Sequence, residues 1–153
     1  MSTNAFAKQP CWEDIEVGRE FSGLTKKPTT KTIVMWAGAV DAYGEMHFDK
    51  DVALKDGFKG VILHGDMLGA YLMELLTDNT GSEGYISSIS YRHTGANYPD
   101  MTYTCRAKPL SKHVADGKAY VDLDVWIENE SAEKKTVGKA TICLPQRGSG
   151  PQA

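Results

Sequence analysis

Between Trp36 and Leu68 the chain reads WAGAVDAYGEMHFDKDVALKDGFKGVILHGDML, which places Asp41, Glu45, His47 and the pair His64-Gly65 in one short stretch. A histidine has an ordinary pKa of about 6.5, so it takes up and releases protons near neutral pH. A carboxylate within hydrogen-bond reach of a water can serve as its base. Gly65 begins an apolar run, and a helix starting there leaves its first backbone N–H groups unpaired, free to hold a developing oxyanion at the positive end of the helix dipole. Together these groups point to acid–base chemistry on a carbonyl compound, a thioester first among them.

Each residue also has a plainer reading. His47 sits in a polar loop, GEMHFDKD, and can be a surface histidine. His64-Gly65 can be a tight strand-to-helix turn in which glycine allows close packing. Asp41 and Glu45 flank Tyr43-Gly44 and can simply be solvated, while Asp49 and Asp51 read as loop or cap residues ahead of VALKDG. Arg92, Arg106 and Lys108, in or near the second-half strands, can meet the phosphates of a carrier group or be ordinary sheet residues.

Other chemistries find less support. The four histidines, His47, His64, His93 and His113, show no HxxxH or HExxH spacing, so no metal site is expected. No GxGxxG or GxxxxGK[ST] loop is present for a nucleotide. Cys11, Cys105 and Cys143 are an odd, scattered set without a CxxC pair, which speaks against a disulfide framework and for a reducing cytoplasm.

The 153 residues suit one domain with a sizeable core; 41% are hydrophobic and 24% charged, the balance of a soluble protein. A net charge of −3 gives no reason to expect a nucleic-acid partner. No apolar run approaches the roughly 20 residues of a membrane span, and MSTNAFAKQP lacks the basic start and apolar core of a signal peptide. Residues 1–10 read as a flexible arm, 11–146 as a single domain, and the Gly/Pro-containing 147–153 as a flexible tail.

The elements that must hold these groups follow from periodicity. Phe21 to Lys27 reads as a short strand ending at Pro28. Thr29 or Thr30 caps a helix to about Ala42, with Ile33, Val34, Trp36, Ala37, Ala39 and Val40 mostly at helical spacing. Tyr43 to Gly57 is irregular or short helix. Gly65 to Leu76 is a second helix, apolar nearly all round and therefore buried, ended by the polar run Thr77–Gly81. The second half changes period. Tyr85–Arg92, Met101–Pro109, Ala119–Asn129 and Lys135–Leu144 read as strands; in YVDLDVWIE, Val121, Leu123, Val125 and Ile127 share one face. Helices followed by a run of strands make an α+β domain. A sheet wrapped round one apolar helix keeps an open side, which favours a dimer.

At these residues the chain resembles the MaoC-like dehydratases, or R-specific enoyl-CoA hydratases, of the hot-dog fold. WEDIEVG (Trp12–Gly18) is similar to that family's entry segment, WAGAVDAYGEMHFDKDVA to its catalytic segment, and GFKGVILHGDMLGAYL to its central helix with a His-Gly start. The resemblance spans about residues 12 to 145. It implies a long, curved antiparallel sheet wrapped round the Gly65–Leu76 helix, and a dimer of hot-dogs. The chemistry it implies is reversible addition of water to a trans-2-enoyl thioester in fatty acid metabolism, the acyl group carried on CoA or acyl carrier protein with no other cofactor. His47 takes the family's histidine role and Gly65 the oxyanion role. The family's acid lies five positions before the histidine, at Ala42 here; Asp41 stands next to it, and Glu45 is a second candidate. Glu45, His64, Met67 and Tyr71 are the expected substrate-binding residues, with Met67, Tyr71 and Met73 able to narrow an acyl tunnel. Two other readings follow from the displaced acid: a non-catalytic or weakened hot-dog subunit that binds the acyl chain beside a catalytic partner, and a hot-dog acyl-CoA thioesterase in which a carboxylate such as Glu45 activates water.

Overall fold

The computed structural model describes residues 9–148. The sheet has five antiparallel strands, β1 (Leu24–Lys26), β2 (Tyr85–His93), β3 (Tyr103–Ala115), β4 (Lys118–Asn129) and β5 (Lys134–Leu144), in the order β1-β3-β4-β5-β2. Three helices accompany it: α1 (Thr30–Val40), α2 (Lys50–Lys55) and α3 (Gly65–Thr80). α3 lies across one face of the sheet and touches β2, β3, β4 and β5.

The alternation in β4 does what its pattern predicts. Val121, Leu123, Val125 and Ile127 point inward and are buried with Tyr103, Cys105 and Ala107 of β3, Ala140, Ile142 and Leu144 of β5, and Met67, Leu68, Leu72, Leu75 and Leu76 of α3. Each such aliphatic side chain withdrawn from water contributes about 2 kcal/mol. Trp126 points to the other face, yet Lys134 covers its ring at 4.2 Å and its indole N–H donates to Glu128, so it too is largely shielded. An Asp116-Gly117 turn joins β3 to β4 with φ of 51° and 73°, the left-handed pair that a two-residue hairpin needs. Pro109, which has no N–H to give the ladder, sits where the β3–β4 register shifts.

α1 starts as its sequence predicts. The Thr29 hydroxyl accepts from the Thr32 N–H, and the Thr32 hydroxyl accepts in return from the Thr29 N–H. Only Ile33 and Ala37 are fully buried, with Trp36 half-buried, so Val34, Met35 and Val40 face solvent. α3 corrects the sequence reading twice. The polar run does not end it at Leu76: Asn79 donates to the Leu75 carbonyl and Thr80 to the Thr77 carbonyl, and the helix continues to Thr80 before Gly81 leaves it at φ 71°. Nor is it apolar all round in space, since Met73 and Glu74 are exposed.

Both ends of the described chain are anchored. The Gln9 amide donates to the Thr80 carbonyl and its oxygen accepts from Glu83 N–H. The Arg147 guanidinium pairs with Asp14, and its N–H donates to Glu13. The remainder of the expected arm and tail, residues 1–8 and 149–153, lies outside the described residues. No helix among the described residues is long and apolar enough to cross a membrane.

Candidate active site

His47 ends a single 3-10 turn, Glu45–His47, between α1 and α2. The extended segment before α3 fixes it. Ile62 N–H donates to the Met46 carbonyl, and His47 Nδ1 lies 2.9 Å from the Ile62 carbonyl. A carbonyl only accepts, so Nδ1 carries the hydrogen in this bond, and neutral His47 presents the lone pair of Nε2. That is the arrangement of a general base. The ring also lies over Gly44, where an added Cβ would stand 3.1 Å from Cδ2.

His64, the N-cap of α3, is buried and stacks on His47, with ring centroids 3.6 Å apart. Burial, and then the nearby His47, push its pKa below the ordinary value. Among the described residues its Nε2 has no partner, an orphan polar atom in the wall beside His47. Next along the chain, Gly65 opens α3, and among the described residues nothing accepts its N–H. A neutral, oriented base and a free helix-start donor thus come from adjoining segments.

The acids are placed differently. Asp41 is the C-cap of α1, in the left-handed conformation at φ 54°, with an exposed side chain. Its carboxylate makes no hydrogen bond or ion pair among the described residues, with His47 or any other group. Glu45 opens the 3-10 turn and is exposed. Met67 packs inside the core, and Tyr71 is half-buried against it with Lys26 over its ring. Met73 is exposed. The Cys105 thiol is buried in the core, which pushes its pKa up to about 12 and keeps it protonated.

A cavity of about 420 Å³ lies beside the histidine turn, lined by Phe48, Val61, Tyr98 and Pro99 among others. A larger groove, about 740 Å³, runs over the opposite face of the sheet and holds Arg92 and Lys108 with Lys134 and Lys139. Arg106 is committed to Glu128 and Glu20. Arg92 and Lys108, the remaining cations of the carrier-phosphate expectation, therefore stand on the sheet face away from α3.

Asn97, Thr136 and Tyr91, which the sequence does not single out, complete the surroundings together with His93. Asn97 is buried, accepts from Leu63 N–H through its carbonyl and donates through its amide to the Thr136 hydroxyl. Thr136 in turn meets His93. Tyr91 and His93 of β2 lie against the two glycines of the first turns of α3, Gly69 and Gly65. The signal for them was a Gly-x-x-x-Gly spacing on the helix opposite alternate residues of a strand.

No protein-family model and no curated protein sequence matches the chain. Its fold is matched by solved structures at low identity. The R-hydratase PhaJ1 from Pseudomonas aeruginosa is 18% identical, with a TM-score of 0.79 over 94% of each chain. The MaoC-like dehydratase from Rhodospirillum rubrum is 19% identical, with a TM-score of 0.77 over 90% of this chain and 97% of that one. A chain of the ChsH1-ChsH2 complex from Mycobacterium tuberculosis is 22% identical, with a TM-score of 0.74 over 84% and 98%. A sheet closed over one helix, with the His-Gly start at its end, thus identifies the chain as a hot-dog domain with the architecture of the R-hydratases and MaoC-like dehydratases.

Proposed function

We propose that the chain is an enoyl-thioester hydratase, adding water reversibly across a trans-2-enoyl thioester. The observation that carries this reading is the bond from His47 Nδ1 to the Ile62 carbonyl, which leaves Nε2 a lone pair, close in the chain fold to the unpaired Gly65 N–H. In the forward direction Nε2 takes a proton from water as its oxygen bonds to C3. The thioester carbonyl becomes an enolate oxygen held by Gly65 N–H at the positive end of α3. The enolate then collapses as the protonated His47 returns its proton to C2, so one water is consumed and the base is regenerated. Asp41 holds and polarises the attacking water, with Glu45 as the other carboxylate in the same loop. The acyl group is carried on CoA or acyl carrier protein, and no further cofactor takes part.

The resemblance to a ChsH1-ChsH2 chain and the exposed position of Asp41 favour one second reading, a subunit that works beside another hot-dog chain. Among the described residues the outer edge of β2 is unpaired, and Val34, Met35, Val40 and Tyr43 leave an apolar surface beside Asp41 that a second copy or a different subunit can cover. The test is hydration of a panel of trans-2-enoyl-CoA esters by the purified chain, followed by loss of the conjugated enoyl absorbance. Hydration by the chain alone supports the first reading. Hydration only with a partner supports the second. Release of free thiol, read with a thiol reagent, points to thioester hydrolysis and overturns both.

A further inference from the structure

His93 ends β2 directly over the start of α3. Its Nε2 lies 2.8 Å from where a Cβ on Gly65 would stand, so the imidazole packs against the side-chain face of the residue that opens α3. The other ring nitrogen, Nδ1, is 3.0 Å from the hydroxyl of Thr136, which is fully buried. That hydroxyl already accepts from the Asn97 amide at 3.4 Å. It has one hydrogen to give, and among the described residues His93 Nδ1 is its acceptor. With the hydroxyl giving its one hydrogen to that nitrogen, Asn97, Thr136 and His93 form a chain of donors that puts the ring hydrogen of a neutral His93 on Nε2, beside Gly65. Tyr91 buttresses the ring edge-on, with centroids 5.6 Å apart, and itself rests on Gly69.

We propose that His93 is the second donor of the oxyanion pocket, its Nε2–H and the Gly65 N–H holding the thioester oxygen together. The assignment rests on the hydratase reading. It also separates two histidines of opposite polarity. The Ile62 carbonyl makes His47 an acceptor at Nε2, and the Thr136 hydroxyl makes His93 a donor at Nε2. His93 keeps its proton throughout; it binds the oxygen more tightly as negative charge develops there. It explains why position 65 is glycine beyond the needs of the helix, since any side chain there would push the imidazole off the pocket.

The test uses the full chain and the trans-2-enoyl-CoA that it hydrates fastest, isotope-labelled at the carbonyl carbon. His93→Phe lowers kcat about 100-fold with a small change in KM, as removal of one oxyanion donor does. His93→Gln, whose side-chain amide restores an N–H donor, recovers part of that loss, and Thr136→Val, which removes the hydroxyl that sets the tautomer, falls between. A structural role alone would not move the infrared carbonyl stretch of the bound thioester. In a His47→Ala background, which slows turnover enough to observe the bound thioester, the stretch is red-shifted from its value in water, and adding His93→Phe reverses part of that shift. An identical stretch with and without His93, or full activity in His93→Phe, overturns the assignment while leaving the hydratase reading intact. Failure of the unaltered chain to hydrate any ester overturns the reading and the assignment together.

Discussion

The imidazoles of His47 and His64 are stacked at 3.6 Å with their planes inclined by 24°. Two rings that close cannot both carry charge without repulsion, and His64, the more buried, is the one held neutral. A neutral His64 leaves His47 free to accept a proton without opposing charge at its face. The stack thereby joins the segment that carries His47 to the segment that opens α3 at Gly65.

That depression has a sign in stability. Unfolding releases His64 to its ordinary pKa of about 6.5, so below that pH the unfolded chain binds a proton that the folded one resists, and stability falls with acidification. Above about 6.5 both states are neutral and the term vanishes. Thermal unfolding of the protein should therefore drop between pH 7.5 and 5.5, and the drop should be shallower in His64→Gln. Equal slopes for the two proteins would show that His64 is not the group responsible.

Replacing His47 by alanine should cost hydration about 10²- to 10⁴-fold, the usual contribution of a positioned acid–base group. His47→Gln keeps a donor for the Ile62 carbonyl but offers no base, so it should be nearly as slow while unfolding close to the unaltered protein. A mild effect of either change on kcat would favour the partner-subunit reading.

Gly44→Ala tests the position of His47 without touching it. Gly44 has φ −63° and ψ 118°, which any residue adopts, so the backbone should not object. The new Cβ would stand 3.1 Å from His47 Cδ2 and 3.6 Å from Nε2. The ring must give way by some tenths of an ångström, and kcat should fall about tenfold with little change in melting temperature. An unchanged kcat would mean that the ring's present seat is not the one used in turnover.

Much of the fold was legible because burial writes a period into the sequence. β4 is the clearest case, since four inward residues on a strict alternation allow no other register. The His64-Gly65 start of α3 was equally plain. Its end was not, because Asn79 and Thr80 turn their side chains back onto helix carbonyls, and polar residues then extend a helix they would otherwise stop. Asp41 resisted for a related reason. Counting residues back from His47 assumes a helical phase, whereas Asp41 has left α1 at a positive φ. His93 and Thr136 are 43 residues apart and meet only through the β2–β5 pairing, which local spacing does not reveal.

Asp41 itself calls for a substitution that respects its backbone. Alanine at φ 54° would add roughly 1 kcal/mol of left-handed strain and confuse the result, whereas asparagine tolerates that conformation and removes only the charge. If Asp41 holds the attacking water, Asp41→Asn should lower kcat about 100-fold at unchanged melting temperature. Full activity would withdraw the assignment, and Glu45→Gln would then show whether the neighbouring carboxylate carries the role.

Gly138 of β5 gives the sharpest test of the sheet that places His93. It pairs with Tyr91 of β2, and a Cβ there would lie 2.2 Å from the Ser90 carbonyl and 2.8 Å from Tyr91 Cα. These are backbone atoms of the neighbouring strand, and no rotamer change relieves them. Gly138→Ala should therefore cost about 3 kcal/mol, the upper end for an overpacked site. The damage should be local to β2, so hydrogen exchange of the Tyr85–His93 amides should rise more than that of β3 and β4. Uniform loss of protection across all the strands would show instead that β2 does not open apart from the rest of the sheet.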